Sequence, residues 1–432
     1  MHNSKIHTMR ENMGRRLRVL YVDYSIGFGG STKSLALMLR ELPDVEAMIV
    51  TTQGRELVDT WMRDHRVWSF RRVVNYRTMW RVHSWVEDRL PALLRWGSLK
   101  AFAVINLLVT VMSTFRLAWI VRRQRVDLIH LNNGFTPPEA FLAARLTDVP
   151  CVVHLRGFSN TNRKSTSREK LPIAHVIAVS QAVATALEQT DRIPSERITA
   201  IHDPVDLERA VSAPGARDRV RSHLGIEPHH VAVGIFGRVI HWKGQHVFIE
   251  AAIRAMRDAP ELRAVIVGDK SDGSDEYVDR ILATIRESGM EDHFVLAGYT
   301  PDVEAYYAAM DVVVHASVSP EPFGMVVPEA MAAGRAVIAA DAGGPREVVT
   351  HGVDGLLVSP GDVDALAAAI LRLARDPAER ARLARNAYRS SHQRFSIRSH
   401  SNAVREVYDT VFGGTRHPGI ARQALSPVAG PQ

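Results

Sequence analysis

Residues 231–247 read VAVGIFGRVIHWKGQHV, and this stretch decides the fold. Val231 to Phe236 is a run of six apolar or small residues, the length and composition of a strand buried on both faces. Gly237-Arg238 ends the run, and Lys243-Gly244 follows where a helix can begin. A strand that hands over to a helix is the unit of a parallel sheet with crossover helices. Two cations at the carboxyl end of such a strand, beside a helix start, suit a diphosphate, although basic residues are common on any protein surface.

The alternation continues in both directions. Candidate strands follow at 263–268, 294–297, 311–316, 336–340 and 355–358, and precede at 18–24, 46–52, 126–131, 150–155, 175–180 and 198–202. Between the two sets, 203–230 is rich in Pro, Arg and turn residues and has no apolar stripe, so it reads as a link with a first helix. The expected fold is therefore α/β, with two Rossmann-like doubly wound lobes facing a ligand across a cleft beyond their strand ends. The lobes would occupy 1–205 and 206–395. A last helix over 396–412 would return to the first lobe, and 413–432, Gly- and Pro-rich and aperiodic, reads as a disordered tail.

Composition narrows the function classes. In 432 residues, 46% hydrophobic and 23% charged exclude a disordered, collagenous or coiled-coil protein. A single cysteine, Cys151, excludes a disulfide framework or a Cys-rich metal site and fits a reducing compartment. The net charge of +7 and pI of 9.7 suit an anionic partner. The first 18 residues are polar and basic, and the apolar run Val19-Leu20-Tyr21-Val22 is too short for a signal peptide, so a cytoplasmic location is expected.

Two further motifs lie where ligands bind. Gly27-Phe28-Gly29-Gly30-Ser31-Thr32-Lys33-Ser34 follows the first strand. Thr32 stands where a Walker A loop or a dinucleotide fingerprint needs glycine, which weakens both the ATPase and the dehydrogenase reading. What remains is an anion-tolerant strand–helix turn at Gly29 and Gly30, or a plain turn. In the second half, Glu321-Pro322-Phe323-Gly324-Met325-Val326-Val327-Pro328-Glu329 sets two carboxylates eight positions apart. Pro328 suits a first helical position and Gly334 a helix stop. Glu329 then lies in a first helical turn, either accepting two hydroxyl hydrogen bonds or only balancing the helix dipole. Glu321 sits in a constrained loop, harder to explain as filler.

Together, Gly237-Arg238…Lys243-Gly244, Glu321-Pro322-Phe323-Gly324…Pro328-Glu329-Ala330-Met331-Ala332-Ala333-Gly334, Gly343-Gly344…Glu347 and Gly355-Leu356-Leu357-Val358-Ser359-Pro360-Gly361-Asp362 resemble glycosyltransferase family 4, the group 1 retaining enzymes of GT-B fold. The likeness runs strongly from Val231 to about Arg385 and more weakly through the Gly29-Gly30 loop, His154 and Val179-Ser180. It implies a nucleotide-diphosphate sugar as donor substrate, with no separate cofactor or metal. Arg238 and Lys243 would hold the diphosphate, Glu329 the ribose hydroxyls, and Glu321 the transferred sugar. The backbone N–H groups of Gly324, Met325, Val326 and Val327 would lie near the phosphates, and His154 near the reacting sugar. The acceptor would be a glycan or lipid-linked sugar of bacterial surface polysaccharide or glycolipid synthesis. Ser31-Thr32 and Asp203-Pro204-Val205-Asp206 depart from the family pattern near the acceptor side or the hinge. A nucleotide-sugar 2-epimerase of the same fold and an inactive scaffold in a glycan-assembly complex stay open as alternatives. No known nucleic-acid module is recognisable.

Six of the seven tryptophans fall at 61, 68, 80, 85, 96 and 119, among many arginines, and an apolar stretch follows at 101–121. Tryptophan with basic side chains is what a membrane interface favours. The segment 61–121 reads as a membrane-surface element of a peripheral protein on the inner face. A buried sheet-covering helix and a re-entrant hairpin are the competing readings. A single crossing is disfavoured, since strands on either side of it belong to one sheet.

Overall fold

The computed structural model describes residues 15–25, 30–52, 54–69, 85, 92–135, 137–159, 171–210, 213–270 and 275–413. Gly29, the last twenty residues bar Gly413, and most of the tryptophan segment between 70 and 91 lie outside the described residues.

The chain divides into two compact units, one holding residues up to Ile177 with Leu187–Thr199 and Arg405–Gly414, the other Ala178–Ala186 with Ala200–Val404. In the first, strands β1 (Leu17–Asp23), β2 (Val45–Thr51), β3 (Arg66–Ser69), β4 (Leu128–Leu131), β5 (Cys151–Leu155), β6 (His175–Ala178) and β7 (Ile198–Ala200) form a sheet in the order β3-β2-β1-β4-β5-β6-β7. β1 pairs in parallel with β2 and β4, and β2 with β3. In the second, β8 (Val231–Phe236), β9 (Leu262–Val267), β10 (Phe294–Gly298), β11 (Val312–His315), β12 (Ala336–Ala340) and β13 (Leu356–Val358) run in the order β10-β9-β8-β11-β12-β13, parallel throughout. Both orders are those of Rossmann-like sheets. Every residue of β8, β11 and β12 is buried, which is why these strands read as unbroken apolar runs.

All twelve expected strands are present. β3 was not anticipated: its four residues, Arg-Val-Trp-Ser, hold only two apolar side chains between two polar ones, too short a run to stand out, and are held by β2 at the sheet edge. The long helix Ala92–Gln124 follows it, and the link holds two short helices, Leu207–Ala210 and Ala216–His223. The last helix, Ile397–Val411, ends in the first unit. There Tyr408 brings its hydroxyl within 3.2 Å of that of Tyr21 and 2.8 Å of His130 Nδ1.

In each sheet the chain reverses its direction of winding beside the first strand. The carboxyl ends of β8 and β11 flank this switch point in the second unit, and those of β1 and β4 flank it in the first. Ligands of open parallel sheets bind there.

Candidate functional site

Gly237, at φ +124°, turns the chain out of β8, and a short 3₁₀ turn, His241–Lys243, leads through Gly244 into the helix Gln245–Met256. Gly244 has no alternative: at φ +74° its backbone passes so close to β11 that a Cβ would lie 1.9 Å from the carbonyl oxygen of Ala316. This contact brings Lys243 to the end of β11. Its Nζ lies 2.7 Å from Oε1 of Glu321 and 4.6 Å above the Trp242 ring. Buried Gln245 donates to the Arg238 carbonyl at 2.9 Å, fixing the backbone whose side chain, Arg238, is exposed.

Glu321 is buried and accepts three hydrogen bonds on one oxygen, from Lys243, from His315 Nε2 at 2.8 Å and from Ser317. Burial opposes its ionisation, but the hydrogen bond and charge of His315 and the Lys243 ammonium outweigh it and hold the carboxyl far below the usual range. Gly343 and Gly344 seat its loop. The Glu321 carbonyl accepts from Gly344 N at 2.9 Å, and a Cβ on Gly343 would lie 2.3 Å from that carbonyl oxygen.

Glu329 stands in the first turn of the helix Val326–Ala332 and accepts from the Tyr307 hydroxyl at 3.1 Å. Burial, reinforced by Glu329, pushes the Tyr307 phenol well up, so it remains a donor. This helix begins two residues earlier than expected. Pro328 is its third residue, and the Val327 amide is engaged by the Gly324 carbonyl at 2.9 Å, one of the four amides expected near phosphate. Gly334, at φ +66°, ends the helix as anticipated. Glu347 clamps a helix start, accepting from the amides of Gln181 (2.8 Å) and Ala182 (2.7 Å) and lying 3.1 Å from His202 Nε2.

The structure thus gathers Lys243, Glu321 and, through its backbone, Arg238 at one switch point, with Glu329 on the helix after β11. His154 belongs to the first unit, buried on β5. Around it stand side chains that sequence reasoning missed: Asp23 at the end of β1, Asn132 after β4 and Arg156 after β5. Gly30 opens the first helix, Gly30–Arg40, with nothing within 4 Å of an added Cβ. Tyr307, His315 and Ser317 were also missed, though all three lie within the 25 residues before Glu329. One grouping of metal-ligating type occurs among the described residues, Glu227 with His229 and His230, and it lies before β8, at the opposite end of the sheet from this site.

Comparison with known proteins places these features in a family. The family description "Glycosyl transferases group 1" matches residues 217–390, and "Glycosyltransferase Family 4" matches 63–209. The lipopolysaccharide core biosynthesis mannosyltransferase LpcC of Rhizobium leguminosarum bv. viciae is 31% identical over 298 residues, 68% of this chain and 81% of that protein. A D-inositol 3-phosphate glycosyltransferase of Kribbella flavida is 30% identical over 59% of this chain and 64% of its own length. Among solved structures, Anabaena HepE in complex with UDP-glucose superimposes with a TM-score of 0.74 at 26% identity, covering 91% of this chain and all of that one. The chain belongs to the group 1 glycosyltransferases of family 4 and is an enzyme related to lipopolysaccharide core mannosyltransferases.

Proposed function

We propose that this glycosyltransferase moves a sugar from a nucleoside-diphosphate sugar, with retention at the anomeric carbon, to a glycan or lipid-linked acceptor of bacterial surface polysaccharide. The observation that carries the reading is the pair of part-buried Lys243 and buried Glu321 at the switch point of the second sheet. A lysine ammonium has three N–H donors. One reaches Glu321, which leaves the group able to bridge from the sugar side to the diphosphate. Charge grows on the leaving phosphate oxygens in the transition state, and Lys243 with Arg238 would strengthen their contacts as it grows, without a metal. Glu329, steadied by Tyr307, would take the ribose hydroxyls, Glu321 a hydroxyl of the sugar, and His154 would lie near the reacting sugar. Retention requires the acceptor to attack on the leaving-group face. UDP held by HepE makes UDP-sugars the first donors to try, and the mannosyltransferase relatives make GDP-mannose the second.

The test is a donor screen by thermal shift, followed by transfer to a lipid-linked acceptor and NMR of the product. A donor at a hundred times its Kd stabilises by about 2.7 kcal/mol. Turnover of donor alone into an isomeric sugar, with no acceptor present, would instead make the enzyme an epimerase.

The same reading sets the enzyme on the cytoplasmic face of a membrane. What supports this is the helix Ala92–Gln124: Val104, Leu107, Leu108, Met112, Phe115 and Trp119 are exposed on it, flanked by exposed Lys100, Arg116, Arg122 and Arg123. The part Ala103–Gln124 is long and apolar enough to cross a membrane, and most of its apolar stretch is not buried. Yet β2 before it and β4 after it both pair with β1, so a single crossing would tear the sheet apart. Lying in the interface satisfies both facts, with arginines drawn to anionic headgroups at about 1 kcal/mol each. Flotation with anionic vesicles at low salt, lost on replacing Phe115 and Trp119 by Ser, is the expected result; no flotation in any condition contradicts it.

A further inference from the structure

The first unit has a polar cluster of its own at the switch point of its sheet. Arg156 Nη2 lies 3.3 Å from both His154 Nδ1 and Asn132 Oδ1, and Nε lies 3.3 Å from the Asn132 carbonyl. The Asn132 amide nitrogen in turn donates to Asp23 Oδ1 (3.3 Å) and to the Ser31 carbonyl (3.1 Å), which fixes its orientation. Asp23 also accepts from the Ser25 hydroxyl at 2.5 Å and the Thr32 hydroxyl at 2.9 Å. On the other side of His154, the His130 ring stands edge-on at 5.5 Å, with its Nδ1 on the Tyr408 hydroxyl. These members come from β1, β4 and β5 or the residues just beyond them, from the helix Gly30–Arg40 and from the last helix. None is adjacent to the donor-site residues in sequence.

The chemistry of the contact is one-directional. A guanidinium only donates hydrogen bonds, so the His154 nitrogen facing it must accept, and the single hydrogen of a neutral imidazole is then on Nε2. Burial pushes the Arg156 guanidinium down to about 9, against the pull of Asp23, and it remains a cation at neutral pH. A second hydrogen on Nδ1 would point at that cation.

We propose that Arg156, held by Asn132, which Asp23 fixes in turn, is a positioning residue that fixes His154 as the neutral tautomer with its hydrogen on Nε2. His154 then serves the reaction as a hydrogen-bond donor and not as a base. The second statement rests on the reading that His154 lies at the reacting sugar; the first does not.

Long-range 15N–1H NMR on the full chain with labelled histidine tests it, with the His154 signals identified by their loss in His154→Gln. The expected spectrum has an unprotonated Nδ1 and a protonated Nε2 in the parent and in Arg156→Lys. In Arg156→Met it becomes a mixture of tautomers, and kcat falls about tenfold or more with the donor KM within about twofold. A hydrogen on Nδ1 in the parent, or an unchanged His154 spectrum in Arg156→Met, overturns the proposal. Should Arg156→Met fail to fold, the parent and Arg156→Lys spectra still decide. Parental turnover in both His154→Gln and His154→Phe would overturn the sugar-contact reading and with it the donor role, while the spectrum alone judges the tautomer.

Discussion

At the switch point of the second sheet a carboxylate stands in the middle, Glu321, gathering hydrogen bonds from Lys243, His315 and Ser317. At the switch point of the first a guanidinium does, Arg156, donating outward to His154 and Asn132. The ingredients are alike and the order is inverted. A central carboxylate leaves its surrounding cation with donors to offer an anion. A central guanidinium donates to its neighbours inside the fold and faces a nitrogen of the buried His154 ring. Under the proposals made above, the first arrangement would meet a ligand that develops negative charge and the second a neutral sugar hydroxyl.

The sharpest way to break the contrast is through backbone. Gly343 sits at φ +62° with the Glu321 carbonyl where its Cβ would go, whereas Gly30 in the first unit has open space. Gly343→Ala is expected to cost about 2 kcal/mol or more in urea unfolding and to abolish most turnover, while Gly30→Ala changes stability by less than about 0.5 kcal/mol. Equal losses at both glycines would show that the seating of the Glu321 loop is not special.

Glu321→Gln comes next, keeping the shape and removing the charge. Turnover is expected to fall by about tenfold or more, with donor KM less affected. The variant also reports on pH. A carboxyl whose folded pKa is depressed contributes stability above the usual carboxyl pKa of about 4.3 and loses it as pH falls toward the folded value. Acid unfolding of the parent should therefore be steeper below about pH 4.5 than that of Glu321→Gln. Superimposable acid-unfolding curves would mean that the fold does not depress the Glu321 pKa.

The smallest effect is expected at Glu329→Gln, where an amide replaces a charged acceptor still served by Tyr307. Donor KM should rise about tenfold, the loss of roughly 1.5 kcal/mol for a hydrogen bond to a charged group, with kcat nearly unchanged. The reverse pattern would exchange its role with that of Glu321.

The two regions also differ in how much of them can be read from sequence. Glu321 to Glu329 is one short stretch with prolines and glycines whose turns are strongly constrained, and Gly237 to Gly244 is another, so the second site was largely legible. Asp23, Asn132, Arg156 and Tyr408 were not, because each is a lone polar residue at the end of a separate element, and only the order β1-β4-β5 brings them together. Among the described residues, the strands were legible wherever burial on both faces made them apolar. β3, four residues at a sheet edge, carries no such signal. The early start of Val326–Ala332 was hidden by Pro328, whose place within a first turn is permissive over three positions.

The central claim, that Lys243 and Arg238 hold the diphosphate of a sugar donor, is tested most directly by calorimetric titration of UDP and GDP into the parent, Lys243→Ala and Arg238→Ala, with transfer rates measured on the same preparations. One nucleotide should bind the parent, and each variant should bind it more weakly and lose about 2–4 kcal/mol of transition-state stabilisation in transfer. Binding and turnover within twofold of the parent in both variants would contradict the account.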